Sequence, residues 1–210
     1  MDVVVFGATG TIGRAIVQEA LNRKHEVTAV VRNPASLELE HERLQVIVAD
    51  ILDPVAVAEA VRGHEEVISA FGPAAGREND LVRAAESLLE GMQAVGLKRL
   101  LVIGGAGTLK TESGEWLMDT PGFPGKFRLL AEAHGHAYEI YSASSLDYTY
   151  LSPPAVIRPG RRTGQFRIGL DRLVVDEDGD SSISVEDFAV AVIDELEEGN
   201  FSRSRFTVGY

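Results

Sequence analysis

Cysteine is absent from the 210-residue chain, which excludes disulfides, thiolate metal ligands and a cysteine nucleophile. Basic residues are in deficit: 20 Lys and Arg against 32 Asp and Glu leave a formal charge of −12. Gripping DNA, RNA or an anionic bilayer needs a basic face, so neither a nucleic acid nor a membrane is an expected partner. No apolar run approaches the roughly 18 residues of a membrane span. The stretch Met1-Asp2-Val3-Val4-Val5-Phe6 carries no basic region and runs straight into glycines, unlike a secretory leader. Together with the missing cysteine, this sets the expectation of a cytoplasmic protein. The five histidines are scattered without ligand spacing, so no metal site is expected. The acidic run Asp176-Glu177-Asp178-Gly179-Asp180 lacks the ligand pattern of a calcium loop and reads as a solvated turn.

What is present is an ordinary globular mixture, 45% hydrophobic and 25% charged. In the first half, short β-branched runs alternate with helical periodicity. Val3–Phe6, Val27–Val31, Leu44–Ala49, Val67–Phe71 and Leu100–Ile103 read as strands. The intervening helices are marked by Ile12, Ile16 and Val17, by Val55 to Val61, and by Asp80 to Val95. Strands apolar on both faces that alternate with helices predict an α/β fold, a doubly wound parallel sheet. Gly105 to Gly125 has no clear period and reads as a long active-site loop. A helix over Lys126 to Tyr141 and a strand at Tyr148–Leu151 follow. Phe166–Ile168 and Leu173–Val175 are expected to be a small hairpin or two short strands. Ser184-Val185-Glu186-Asp187 resembles a capping box opening a helix with Phe188, Val192, Ile193 and Leu196 inward, and Phe206–Val208 reads as a last strand. No repeat or linker interrupts the chain, so one domain is expected. Its residues 152–183 and 200–210 contribute a small C-terminal substrate lobe.

The strongest signal is Gly7-Ala8-Thr9-Gly10-Thr11-Ile12-Gly13, placed after the first strand and opening the first helix. Gly7 permits a tight turn, Gly10 leaves room for a pyrophosphate, and Gly13 lets the helix pack closely on the strand. Free N–H groups at the helix start, aligned with its dipole, then attract phosphate. Thr9, Thr11 and Ile12 belong to the same candidate site. The second strand ends in Arg32, where an NAD site usually carries Asp or Glu for the ribose hydroxyls. A guanidinium suits the 2′-phosphate instead, so NADP(H) is expected in preference to NAD(H), with Arg14 as a second candidate cation. Asp50 and Ile51 are candidates for the adenine, and Ala70, Phe71 and Gly72 for the ribose and cofactor backbone. Gly104 and Gly105 end the fifth strand, where the nicotinamide belongs.

These motifs resemble the atypical short-chain dehydrogenase/reductase family, and within it the NmrA-like NAD(P)-binding branch that includes NADH-flavin reductases and biliverdin-IXβ/flavin reductases. The resemblance spans essentially the whole chain. Besides Gly7–Gly13 it rests on Val30-Val31-Arg32-Asn33-Pro34, Ala49-Asp50-Ile51, Val102-Ile103-Gly104-Gly105-Ala106-Gly107 and Leu146-Asp147-Tyr148-Thr149-Tyr150-Leu151-Ser152-Pro153-Pro154. It continues through Gly160-Arg161-Arg162-Thr163-Gly164 and Ile183-Ser184-Val185-Glu186-Asp187-Phe188-Ala189. It implies a Rossmann-type fold, bound NADP(H), and reduction of a flavin or another flat small-molecule acceptor.

Two departures narrow the chemistry. Most short-chain dehydrogenases use Tyr-x-x-x-Lys as proton donor, but four residues after Tyr138, Tyr141, Tyr148 and Tyr150 stand Ser142, Ser145, Ser152 and Pro154. Alcohol–ketone interconversion is therefore disfavoured, whereas flavin reduction does not need that pair. The biliverdin reductases have a histidine soon after the Pro-Pro pair; here Ala155-Val156-Ile157 follow, and biliverdin is a poor candidate. His134 and His136 fall in a helical stretch and read as structural. Thr108 and Ser152 are the candidate catalytic side chains, and Pro153 lines the nicotinamide side. Trp116, Met118, Phe123 and Pro154 are the candidates for the acceptor ring. The competing readings are a non-catalytic NADP(H) sensor of NmrA type and a sugar-nucleotide epimerase or dehydratase.

Overall fold

A computed structural model describes residues Met1–Tyr210. β-branched side chains restrict χ1 and pack well on a pleated surface, and their runs form the strands here. In chain order these are β1 Asp2–Phe6, β2 Glu26–Val31, β3 Leu44–Val48, β4 Glu66–Ser69, β5 Arg99–Ile103 and β6 Asp147–Ser152, then β7 Val156–Arg158, β8 Arg167–Gly169, β9 Ser182–Ser184 and β10 Ser204–Gly209. The helices are α1 Thr11–Asn22, α2 Pro54–Val61, α3 Asp80–Val95, α4 Arg128–Ala143 and α5 Val185–Glu198. α2 starts where Asp53 caps the Val55 N–H at 2.9 Å and Pro54 fills the first helical position.

Eight strands form one sheet in the order β3-β2-β1-β4-β5-β6-β10-β8, parallel except for the β10–β8 pair. The chain winds outward through β1, β2 and β3, then restarts on the other side of β1 with β4. That reversal opens a crevice at the carboxyl ends of β1 and β4, the usual ligand position in such sheets. Period-two alternation sends Val3 and Val5 to one face and Val4 and Phe6 to the other. The first face packs under α1 and α5 through Ile16, Val17, Phe188, Val192 and Ile193. The second packs under α2, α3 and α4 through Val57, Leu88, Met92 and Tyr141. No helix is long and apolar enough to cross a membrane.

The C-terminal third differs from the expected lobe. β10, read as part of the lobe, extends the main sheet beside β6. β7 and β9 form a separate two-stranded parallel sheet that sequence periodicity does not reveal, each strand being three residues long. Leu173–Val175 is not a strand. β8 pairs with β10 instead, and Val174 is buried against Gly169 and Gly209, where added Cβ atoms would lie 2.9 and 3.1 Å from its side chain. The box at Ser184 forms by half. Its hydroxyl accepts from the Asp187 N–H at 2.9 Å, but the Asp187 carboxylate accepts from the Thr163 and Gly164 amides and the Thr163 and Tyr210 hydroxyls. Burial alone would raise this carboxyl; the Thr163 hydroxyl and the other donors hold it below its ordinary value. The same segment is tied to α1, because Arg162 hydrogen-bonds the buried Glu19, which Arg23 at the end of α1 also holds.

At the opposite end of the sheet, Glu66 on β4 is mostly buried and its Oε2 has no hydrogen-bond partner. Arg99 lies 3.7 Å from it but bonds Glu195 at 2.8 Å instead. Burial pushes the Glu66 carboxyl up to about 7, with Asp147, Glu65 and Glu195 adding to the rise against Arg99. A raised acid contributes stability that is full below its unfolded value and is lost as pH climbs through about 7. Glu66→Gln, which resembles the protonated form, is expected to raise Tm by about 2 °C or more at pH 8 and to leave it unchanged at pH 5. Thermal unfolding at the two pH values checks this.

Candidate functional site

The turn between β1 and α1 is set by sterics. Gly7 has φ +77°, and a Cβ there would sit 2.4 Å from the Ala70 carbonyl oxygen. A Cβ on Gly13 would sit 2.1 Å from the Gly7 carbonyl oxygen, so α1 approaches the turn as closely as backbone allows. Gly10 caps α1 with its backbone alone. Its N–H bonds the Gly7 carbonyl at 3.0 Å, and Arg14 N–H is the first helical donor to find an acceptor, on Gly10 at 2.9 Å. The amides of Thr11, Ile12 and Gly13 meet no protein acceptor. Three unpaired donors at the positive end of a twelve-residue helix favour an anion.

A cleft of about 370 Å³ opens over these amides. Gly7, Thr9, Gly10, Thr11, Ile12, Arg32, Ile51, Ala70, Phe71 and Gly72 line it, all of them read from the sequence, with Phe6, Val30, Val31 and Ala49 in addition. Arg32 is exposed on the cleft wall and has no hydrogen-bond or ion-pair partner within the protein. Gly13 packs behind the lining against the Gly7 carbonyl, and two further candidates are placed elsewhere. Arg14 donates Nε to the Thr9 carbonyl and Nη2 to that of Ser36, so its guanidinium braces the turn against the segment after β2. Asp50 is exposed outside the lining, and its Oδ1 accepts from the Leu52 N–H in a local turn.

A second cleft, of about 490 Å³, lies at the carboxyl ends of β5 and β6. Gly104, Gly105, Phe123, Pro153 and Pro154 line it, as the sequence suggests. Four other candidates do not. Thr108 is buried, with Arg205 Nη1 donating to its carbonyl at 2.7 Å and its hydroxyl at 3.3 Å. Ser152 is fully buried beside Thr207 in the β6–β10 register, and neither hydroxyl has a partner. Met118 is buried beneath Gly107. Trp116 bridges Lys110 and faces a separate polar recess with Tyr138, Arg203 and Arg205. The long loop is pinned rather than free, by Leu117 N–H on the Leu109 carbonyl and Arg128 on the Met118 carbonyl.

His134, read from the sequence as structural, stands in the wall of this second cleft. The signal was legible: Phe127, Leu130, Ala131 and His134 share one face at helical spacing and all four line the cleft. A Cβ on Gly105 would lie 2.8 Å from the imidazole Cδ2, so this glycine lets the ring approach the backbone closely. Burial lowers the His134 pKa to about 4, and the ring is neutral at physiological pH. His136, two residues on, is exposed and faces away.

Residues 7–198 match the family described as NAD(P)H-binding. Among solved structures, a "putative exported protein" of Burkholderia pseudomallei superposes with TM-score 0.91 at 44% identity, over 100% of both chains. A "putative epimerase" of Bacteroides thetaiotaomicron gives TM-score 0.93 at 40% identity, over 100% of this chain and 96% of that one. A "putative NADH-flavin reductase" of Streptococcus pneumoniae gives TM-score 0.88 at 31% identity, over 100% and 99%.

Gly10 separates folding from binding. Its φ of −72° suits any residue, and a Cβ would meet nothing closer than the Gly7 carbonyl at 3.4 Å. Gly10→Ala is therefore expected to keep Tm within about 2 °C of the parent and to weaken NADP+ binding by about 10-fold or more, because the methyl group enters the cleft over the free amides. Calorimetric titration beside thermal unfolding reads both.

Proposed function

The chain belongs to the NAD(P)H-binding family, and we propose that it acts as an NADPH-dependent reductase of a flat acceptor, a flavin or a quinone. The observation that carries this reading is the second cleft. It lies at the carboxyl ends of β5 and β6, the same edge of the sheet as the glycine turn after β1, and no Asp, Glu, Lys or Arg lines it. Nicotinamide, when bound, supplies a hydride. The chain's own part is to hold and to exclude. The amides of Thr11, Ile12 and Gly13 offer donors to the pyrophosphate, and Arg32 offers a guanidinium to the 2′-phosphate without a carboxylate competing for it. Phe123, Pro153 and Pro154 give a dry, flat-sided wall against which an apolar ring is held in register.

The tyrosines support hydride transfer over epimerase chemistry. Burial raises the phenols of Tyr141 and Tyr150, the reverse of the lowered phenol that an acid–base tyrosine needs, and no lysine stands four residues after any of Tyr138, Tyr141, Tyr148 and Tyr150. Reduction of a conjugated ring lets water supply the proton. We assign the reaction to the cytoplasm, where NADPH is replenished. Subcellular fractionation addresses that assignment, since the Burkholderia relative carries the word exported in its name.

NADPH oxidation with FMN, riboflavin and menadione as acceptors is the test. Turnover is expected with at least one of them. Arg32→Ala is expected to raise KM for NADPH by about 10-fold or more and to leave that for NADH nearly unchanged. Equal losses for the two coenzymes would remove the phosphate role of Arg32. Tight NADPH binding with no turnover on any acceptor would replace the reductase with an NADP(H) sensor.

A further inference from the structure

Two lining residues of the second cleft have polar side chains, Thr120 and His134. The Thr120 hydroxyl donates to the Leu117 carbonyl at 2.7 Å, so its proton is engaged within the loop. His134 is different. The Tyr150 hydroxyl donates to the His134 carbonyl at 3.1 Å, and its oxygen lies 3.4 Å from His134 Nδ1. A phenol has one proton, and the shorter contact takes it, so between Tyr150 and Nδ1 the imidazole is the donor. A neutral ring with its proton on Nδ1 carries a lone pair on Nε2. That nitrogen has no partner in the protein and is not among the side-chain atoms sealed from solvent. The cleft therefore presents the His134 Nε2 lone pair among mostly apolar walls, with the Thr120 hydroxyl oxygen as its other side-chain acceptor.

We propose that His134 is a substrate-contacting residue whose Nε2 accepts a hydrogen bond from a ring N–H of the acceptor, which selects an imide-bearing ring of the isoalloxazine class over a quinone. This rests on the reading of the second cleft as the acceptor site. A flavin ring has such an N–H between two carbonyls; a quinone has none. The lowered pKa of His134 keeps its lone pair available across the physiological range. A ligand without a donor leaves a partly buried acceptor unpaired, and sites built this way discriminate by an order of magnitude or more. Tyr150 acts as a positioning residue. It is fully buried, packs on Tyr138 with ring centroids 4.8 Å apart and planes tilted by 58°, and fixes the imidazole tautomer from behind.

The test compares lumiflavin with 3-methyllumiflavin, which lacks the N–H, by quenching of flavin fluorescence on protein saturated with NADP+. The parent is expected to bind lumiflavin about 10-fold more tightly than its methyl derivative. His134→Ala is expected to bind the two alike, and His134→Gln, whose side-chain oxygen also accepts, to restore part of the preference. Should His134→Ala fail to fold, the two ligands on the parent protein decide the matter alone. Equal binding of both by the parent overturns the proposal. So does a His134→Ala variant that loses NADP+ affinity and keeps its lumiflavin preference, because the carboxamide would then be the donor. If neither flavin binds while menadione drives NADPH oxidation, the reductase stands and the His134 contact falls. If the flavin preference appears but no acceptor drives NADPH oxidation, the contact stands and the reductase falls.

Discussion

A methyl group on Gly13 would collide with the carbonyl of Gly7 at 2.1 Å, and one on Gly7 with the carbonyl of Ala70 at 2.4 Å. This mutual approach of β1, α1 and the end of β4 governs the molecule. It brings the start of α1 over the sheet's reversal point with three amides unpaired. Helix-start donors without a protein acceptor, at the positive end of the helix dipole, favour an anion. Arg14, braced across Thr9 and Ser36, stiffens the same turn without entering the cleft. Arg32 stands free beside it, the one charged residue of the cleft lining in a chain of net charge −12.

From that turn the chemistry divides along the strand ends. One cleft lies over β1, β2 and β4 and is suited to the adenosine half of a dinucleotide. The other lies over β5 and β6, with apolar walls and the His134 ring as its unengaged polar side chain. Glycines at both places keep side chains out of the way, first for phosphate, then for the imidazole on Gly105. The C-terminal segment is tied back onto the sheet and α1. Asp187 gathers the amides of Thr163 and Gly164 and the hydroxyl of Tyr210, while Arg162 reaches Glu19 on α1.

The first half of the fold was legible because its signals are local. Alternating runs of valine and helical periodicity locate β1 to β5, and α3 spans Asp80–Val95 as its apolar spacing predicts. That the residues of the glycine turn and the strand ends share one cleft was legible for the same reason, since these elements meet wherever the sheet is parallel. The second cleft was less so. Thr108, Met118 and Trp116 sit in a loop with no period, and their directions follow from tertiary contacts with Arg205, Gly107 and Lys110 that local spacing does not encode. Ser152 ends β6 one residue beyond the expected Tyr148–Leu151, and which way its hydroxyl points depends on β10, which arrives from far along the chain. His134 was passed over because a histidine on a helix has an ordinary structural explanation. Its place on the Phe127, Leu130, Ala131 face was the available clue.

The unpaired amides are the centre of the account, and they are directly observable. In backbone NMR with hydrogen exchange, adding NADP+ is predicted to shift the amide protons of Thr11, Ile12 and Gly13 and to slow their exchange, while the already bonded amide of Arg14 changes little. Saturating NADP+ that leaves all three unshifted and exchanging at their free rates would contradict it.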